Sequence, residues 1–429
     1  MVPALVKIAV VFIIVVLLIR KKVSLASSFL AGSLLVALFF SLAPSETAGA
    51  LIAGVSRPKT AALCVIIALI LIFSNSMESC GQLRRLLTTF QGLIKSPRLN
   101  LSIFPALIGL LPMPGGAVFS APMVKEIGNR TDLDGATLSY INYWFRHIWE
   151  YWWPMYPGIL LATLLADINL PVFMAVMFPF TLVVARIGWI PVKPFSLRST
   201  SRDQADKTSP YPFLREISPI LVVITAGVLT GSLLSVTFPG LVVAKEIGLT
   251  ASLCIGLIMV WRMNGISWNQ RRTFILSSNV FKMVYMVAMI MVFKEMLEKS
   301  GAVDSISSEL VRLCIPLAGI CIVLPFVIGL LTGITIAFVG STFPILVSLV
   351  NAHGEAHYMI LYLALALSCG FAGVLMSPVH LCLLMSNEYF GTSLKPVYRL
   401  LWRPCLSLAV CAVLYFLVLR WLASGYFML

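Results

Sequence analysis

The residues most able to do chemistry in this chain are Arg146, His147 and Glu150, set in the aromatic stretch SYINYWFRHIWEYWWPMYPG from Ser139 to Gly158. Glu150 falls four residues after Arg146 and three after His147, a spacing that lets all three share one helix face and pair. A permanently charged guanidinium, whose planar fork fits a carboxylate, points to a small organic anion as ligand. His147 then belongs to the same substrate site, and Glu150 is the group for ion coupling. Two plainer readings stand beside this one: Arg146 and Glu150 neutralise each other within a helix bundle, or Arg146 snorkels to the inner interface. A further histidine, His380, follows a proline break at Pro378, where an imidazole relays protons, donates to a substrate or fills a core position. The aromatics from Tyr140 to Tyr156 read as a packing and interface belt rather than a substrate cage.

Two apolar segments carry helix breakers at their centres. The first, LLPMPGGAVFSAP from Leu110 to Pro122, turns at Pro112, Pro114, Gly115 and Gly116. Proline removes a donor and breaks the helix, while glycine permits close approach of a ligand to backbone. The second, LLTGITIAFVGSTFP from Leu330 to Pro344, has Thr332, Gly333 and Thr335 at its turn, with Ser341 and Thr342 one or two turns later. Freed carbonyls and the hydroxyls of Thr332, Ser341, Thr342 and Ser377 suit a coupling Na⁺. The helix N-terminus after each turn offers N–H groups to an anion. The alternative is a pair of packing kinks satisfied by neighbouring Ser and Thr. No other metal and no cofactor is assigned; coupling is to Na⁺ or H⁺.

These side chains need elements that hold them at depth in a membrane. Hydrophobic residues make up 59% of the 429 and charged residues only 11%, with a mean hydropathy of +0.98. A soluble domain is about a quarter charged, so much of this exterior faces lipid. Runs of the roughly 17 to 25 apolar residues that cross a bilayer fall near 3–19, 24–43, 60–76, 135–163, 170–188, 216–236, 239–260, 273–293, 358–386 and 404–423. That predicts ten crossings, with 99–124 and 315–347 as re-entrant hairpins. Irregular backbone at membrane depth is tolerated only inside protein or along a cavity, so the hairpins mark a functional centre.

Placing Arg20, Lys21 and Lys22 in the cytoplasm fixes every later side by alternation. Cytoplasmic segments then collect most of the remaining basic residues, among them Arg84, Arg85, Lys125, Arg186, Lys193, Arg198, Arg202, Lys207, Arg262, Arg271 and Arg399. Outer segments hold few: Arg57, Lys59, Lys245, Lys299, Arg312 and Arg420. Both termini fall outside, and the first apolar run is retained, because its charge order is the reverse of a signal peptide's. The net charge of +14 thus reports orientation and anionic lipid rather than nucleic acid. The nine cysteines show no ligand or disulfide spacing. Asn387 and Glu388 cap the inner end of their span.

Residue n aligns with residue n + 220 without gaps. Phe73 meets Phe293, Gly81 meets Gly301, Pro105 meets Pro325, and Ile108-Gly109-Leu110-Leu111 repeats at Ile328-Gly329-Leu330-Leu331. Each half has five crossings, an odd number, which inverts the second copy. The expected fold is therefore an all-α polytopic membrane protein of about ten spans, two hairpins and two inverted repeats. Its first repeat is 1–191, a cytoplasmic linker covers 192–215 and the second repeat is 216–429. Such repeats with paired broken helices are the signature of alternating-access transporters. A Na⁺/H⁺ antiporter is the alternative, with Glu150 and His147 carrying protons; a channel or an intramembrane enzyme is more remote. HExxH, GxSxG and P-loop motifs are absent.

The order of spans, hairpin, broken span and span, repeated upside down, resembles the ion transporter superfamily of dicarboxylate, citrate and gluconate permeases and sodium/proton antiporters. The PMPGGAVFSAP hairpin in particular resembles the integral membrane proteins of domain of unknown function family 401. The resemblance implies a cell inner (cytoplasmic) membrane transporter that pairs as a homodimer, with its site at the hairpin tips and broken spans. Where dicarboxylate symporters carry Ser-Asn-Thr tips, this chain has Met113-Pro114-Gly115 and Thr332-Gly333-Ile334. That departure puts the first sodium site in question.

Overall fold

The computed structural model describes residues 3–90, 93, 96–113, 115–192, 194, 209–241 and 243–426. Pro114 and the linker residues Lys193, Arg198, Arg202 and Lys207 lie outside the described residues. Everything regular in the rest is helical. The first half runs α1 (Ala4–Arg20), α2 (Leu25–Phe39), α3 (Pro44–Ser56), α4 (Pro58–Ser79), α5 (Gln82–Phe90), α6 (Pro97–Gly109), α7 (Ala117–Gly128), α8 (Gly135–Arg146), α9 (Pro157–Leu165) and α10 (Leu170–Ile187). The second runs α11 (Tyr211–Thr237), α12 (Ala244–Met263), α13 (Trp268–Ile275), α14 (Ser278–Lys299), α15 (Ala302–Arg312), α16 (Leu317–Thr332), α17 (Thr335–Ala352), α18 (Met359–Leu375), α19 (Leu381–Tyr389) and α20 (Leu394–Tyr426). A short 3₁₀ turn at Ala356–Tyr358 precedes α18.

The 220-residue repeat is visible in where helices begin. α4, α5 and α6 start at 58, 82 and 97, and α14, α15 and α16 at 278, 302 and 317. Beyond the hairpins the interval is 224: α8, α9 and α10 start at 135, 157 and 170, and α18, α19 and α20 at 359, 381 and 394. The extra residues enter at the hairpins, where α17 has 18 residues against 12 in α7. The aligned glycines behave alike. Gly81 (φ 69°) and Gly301 (φ 61°) both take the left-handed conformation that glycine adopts without strain.

Among the described residues, eight helices are long and apolar enough to cross a membrane, which makes this a multi-pass membrane protein. Seven of them match expected spans. The eighth, Thr335–Ala352, is the second arm of the second hairpin. The other three expected spans are short or broken: α1 has 17 residues, α2 has 15, and the 135–163 span is split into α8 and α9. Two boundaries differ from the sequence reading. Residues 44–56, outside every expected span, form α3, started by Pro44 at a position where the missing N–H costs nothing. The span expected at 273–293 becomes α13 and α14, and α14 continues through Lys294, Glu295 and Glu298. Charge pairing permits that extension: Arg57 meets buried Glu295 at 2.6 Å, and Lys294 meets Glu298 at 3.3 Å.

The packing is interleaved between halves. α14 packs on α2 and α3, and its counterpart α4 packs on α12. Around the hairpins, α6 lies on α8 and α16 on α18, while α17 of the second half packs on α9 of the first, and α19 on α7 and α8. α5 and α15 are amphipathic, burying Leu83, Leu86, Leu87 and Phe90 in one and Val303, Ile306 and Leu310 in the other.

Candidate functional site

α8 is started by Asp134, whose carboxylate accepts from the Thr137 N–H at 2.8 Å, and it stops at Arg146. From His147 to Tyr156 the chain is irregular before α9 begins at Pro157. The single helix face expected for Arg146, His147 and Glu150 therefore does not form. His147 and Glu150 still meet, with Nε2 and Oε1 3.7 Å apart. Arg146 turns elsewhere: its Nη2 donates to the Met113 carbonyl at 2.8 Å, and Nη1 lies 3.4 Å from His147 Nε2. The expected direct contact of Glu150 with Arg146 is replaced by contacts of the carboxylate with the His147 ring and the Thr335 hydroxyl. Arg146 is 2% exposed, so it does not snorkel.

Ending a helix inside protein leaves carbonyls that must be satisfied. The aromatics do this for the first hairpin. Trp149 Nε1 donates to Ala106 O, Trp153 Nε1 to Leu110 O and Tyr156 OH to Gly109 O, at 2.8, 2.8 and 2.5 Å. Tyr143 OH donates to Leu375 O, at the end of α18, at 3.0 Å. Tyr140, Tyr143, Trp144 and Tyr151 are wholly buried, so the stretch is an internal brace, with the packing role expected of it and without the interface role.

The first tip, with Pro112, Met113, Gly115 and Gly116 all buried, reaches the guanidinium because it lacks side chains there. A Cβ on Gly116 would stand 2.5 Å from Arg146 Nη2 and 2.9 Å from Nε, and one on Gly115 would strike Met385. The second tip is tighter, only Gly333 and Ile334, with Gly333 at φ 65°. Its carbonyl accepts from His380 Nδ1 at 2.8 Å, and Thr335 Oγ1 donates to Glu150 Oε2 at 3.2 Å. His380 Nε2 in turn lies 3.2 Å from His147 Nε2. Both tips and both breaks thus converge on Arg146, His147, Glu150 and His380.

The remaining expected residues are less central. Thr332, Ser341 and Thr342 are buried and donate their hydroxyl protons to the carbonyls of Ile328, Ala337 and Phe338, each four residues back, at 2.8 Å. Ser377 is buried beside Gly333. Pro378 is exposed, bending the chain without lining the cluster.

Sequence reading missed three groups. Cys382, taken as packing, lies with His147 and His380 so that the thiol and two ring nitrogens fall within 4.8 Å of one another. Two donors on one zinc ion can be at most about 4.4 Å apart, so the grouping is looser than a ligand set, and we assign no metal to it. Second, Ser120, Asn142 and Ser386 form a buried chain, with Ser120 Oγ to Asn142 Oδ1 at 2.6 Å and Asn142 Nδ2 to Ser386 Oγ at 2.9 Å. Third, Asn387 does not merely cap its span: it is buried and accepts from Ser139 at 2.6 Å. Single polar residues in apolar runs were the only signal for these.

Two cavities lie along these elements, neither of them lined by Arg146, His147, Glu150 or His380. One of about 410 Å³ is lined by Lys59, Thr163, Asp167, Lys245 and, from the first break, Pro154. The other, about 460 Å³, lies at the start of α8 among Lys125, Thr131, Gly135 and Tyr389.

A family described as protein of unknown function (DUF401) matches residues 4–421. The chain belongs to this family. No curated protein matches it. The hairpin-and-break architecture of this DUF401 protein is therefore read from its own residues.

Proposed function

We propose that this DUF401 protein is an ion-coupled secondary transporter that carries a small organic anion, a carboxylate, across the cell inner membrane by alternating access. The observation that carries this reading is the convergence of two hairpin tips and two chain breaks on one buried charged cluster. Broken helices paired between repeats form the binding sites of such transporters, and charge at membrane depth is functional by default. Arg146 is the substrate partner. Its Nη2 is held by the Met113 carbonyl, and its Nε is buried with no partner among the described residues, a donor available to a carboxylate. Glu150, between Thr335 and His147, belongs to the coupling ion.

In this proposal 1–191 and 216–429 are inverted copies joined by a cytoplasmic linker at 192–215. The likeness to the ion transporter superfamily supports the inversion and a homodimer, and the chain itself catalyses no bond-making step. The second reading, a Na⁺/H⁺ antiporter, draws on the contact of Glu150 with His147 and Thr335, which needs no organic substrate.

Thermal unfolding of the purified protein against mono-, di- and tricarboxylates, with and without sodium, tests the proposal, because a ligand selective for the folded state stabilises it by mass action. Stabilisation by a particular carboxylate, lost in Arg146→Ala and reduced in Arg146→Lys, is the expected result. Stabilisation by sodium or pH alone, indifferent to every anion, would replace the organic-anion reading with the antiporter.

A further inference from the structure

We propose that His147 and His380 together bind one proton between their Nε2 atoms, and that this proton is the coupling ion of the transport cycle. The inference rests on the organic-anion reading for what the proton is coupled to, but the proton site itself stands on geometry. A backbone carbonyl can only accept a hydrogen bond. His147 Nδ1 lies 2.6 Å from the Tyr143 carbonyl and His380 Nδ1 lies 2.8 Å from the Gly333 carbonyl, so each Nδ1 carries the hydrogen. In neutral rings both Nε2 atoms are then acceptors without a hydrogen of their own, His147 Nε2 having the Arg146 Nη1 donor 3.4 Å away and His380 Nε2 having only His147 Nε2 opposite it at hydrogen-bond distance. Yet those two atoms face each other at 3.2 Å, with the rings inclined at 73°. Two lone pairs at that separation repel. One added proton converts the contact into an N–H···N hydrogen bond without moving either ring.

The surroundings set when that proton is present. Facing the pair are Arg146 and Tyr143 from α8, Glu150 and Tyr156 from the first break, Thr335 from α17 acting through Glu150, and Cys382 from α19. Arg146 and Glu150 cancel in charge, so the protonated pair leaves the buried cluster with one net positive charge. Burying an uncompensated charge is costly, and a carboxylate at the free Nε of Arg146 compensates it. The converse also holds, since linkage is reciprocal: proton and anion each strengthen the other's binding, and the two enter or leave together. The bond formed is N–H on one Nε2, with the proton drawn from water on the side then open and returned to water on the other. Because Tyr143 belongs to the first half and Gly333 to the second, the pair also spans both halves. Separating them would part the nitrogens and release the proton.

The test is ¹⁵N NMR of the histidine rings in the purified full-length chain, followed from alkaline to mildly acidic pH with and without each carboxylate. The chain has four histidines, and His353→Gln and His357→Gln assign the other two. Both Nδ1 atoms are expected to stay protonated throughout, and one Nε2 of the pair to gain a proton as pH falls, at higher pH when a carboxylate is bound. Calorimetry in buffers of different ionisation enthalpy is expected to give one proton taken up per anion. Anion affinity then rises about tenfold per pH unit of acidification above the titration point, and the slope vanishes in His380→Gln. In Glu150→Gln the proton should appear only at lower pH. The inference is overturned if both Nε2 atoms stay bare with anion bound, if either Nδ1 lacks its hydrogen, or if zinc chloride alone shifts both Nε2 signals at alkaline pH, the mark of a metal site. A pair that gains its proton in a chain that binds no carboxylate upholds the proton site and overturns only the anion reading. Anion binding without protonation does the reverse.

Discussion

The two hairpins share a scaffold and differ in chemistry. In each, the first arm packs so closely on the following helix that its glycine has no room for a side chain: a Cβ on Gly109 would run into the Arg146 carbonyl, and one on Gly329 into the Gly370 carbonyl. Gly109 and Gly329 are 220 apart, and Arg146 and Gly370 are 224 apart, the same intervals that separate the helix starts. Tyr156 and His380, also 224 apart, each close a hairpin carbonyl, Gly109 O and Gly333 O. At the positions that carry charge the likeness ends. Arg146 and His147 of the first copy stand where the second has Gly370 and Phe371. Backbone geometry is alike in both halves while charge is concentrated in the first, which gathers one charged cluster at the junction instead of two.

Gly109→Ala and Gly329→Ala should break the shared part of this comparison. Each forces a methyl group into a backbone carbonyl that cannot move aside, a cost of about 3 kcal/mol, and thermal unfolding midpoints should fall together. A large drop for one and none for the other would mean the copies are not built alike. Arg146→Ala addresses the part that differs. It leaves the Met113 carbonyl without its donor, costing about 2 kcal/mol, and abolishes stabilisation by carboxylates. Gly370→Ala, against Phe338 at the equivalent place, should destabilise without selective loss of anion response.

Gly333→Ala sets a side chain at φ 65°, worth roughly 1–2 kcal/mol, and presses on Ser377; unfolding should report the cost, and ion dependence should change with it. Thr335→Val removes one hydrogen bond to Glu150, about 1 kcal/mol, and should alter the pH dependence of transport in proteoliposomes more than stability. The smallest effect is at the surface. Lys59, 2.7 Å away, holds the Asp167 carboxyl below the usual carboxylate range. That pair stabilises the fold at pH above the ordinary carboxylate value and stops doing so as pH falls through the lowered one. Since Asp167 is largely exposed, Lys59→Ala should cost under about 1 kcal/mol and flatten only the acid side of a stability-against-pH curve.

Much of this was legible before any coordinates. Low charge and long apolar runs determined a polytopic helical membrane protein, because lipid leaves backbone groups no partner but their own helix. The 220-residue offset placed both hairpins, and Pro154 and Pro378, 224 residues apart, placed both breaks, because proline and glycine act on the backbone locally wherever they occur. Arg146, His147, Glu150 and His380 stood out for the same reason: charge is rare in such a chain. What sequence spacing misjudged was their pairing. A helical face assigned Glu150 to Arg146, but the chain leaves the helix at His147, and once it does, partners are chosen by whichever freed carbonyl or side chain lies nearest in space. Met113, Gly333 and Thr335, from segments 33 to 185 residues away in sequence, could be brought to those side chains only by the packing of two hairpins against two broken helices.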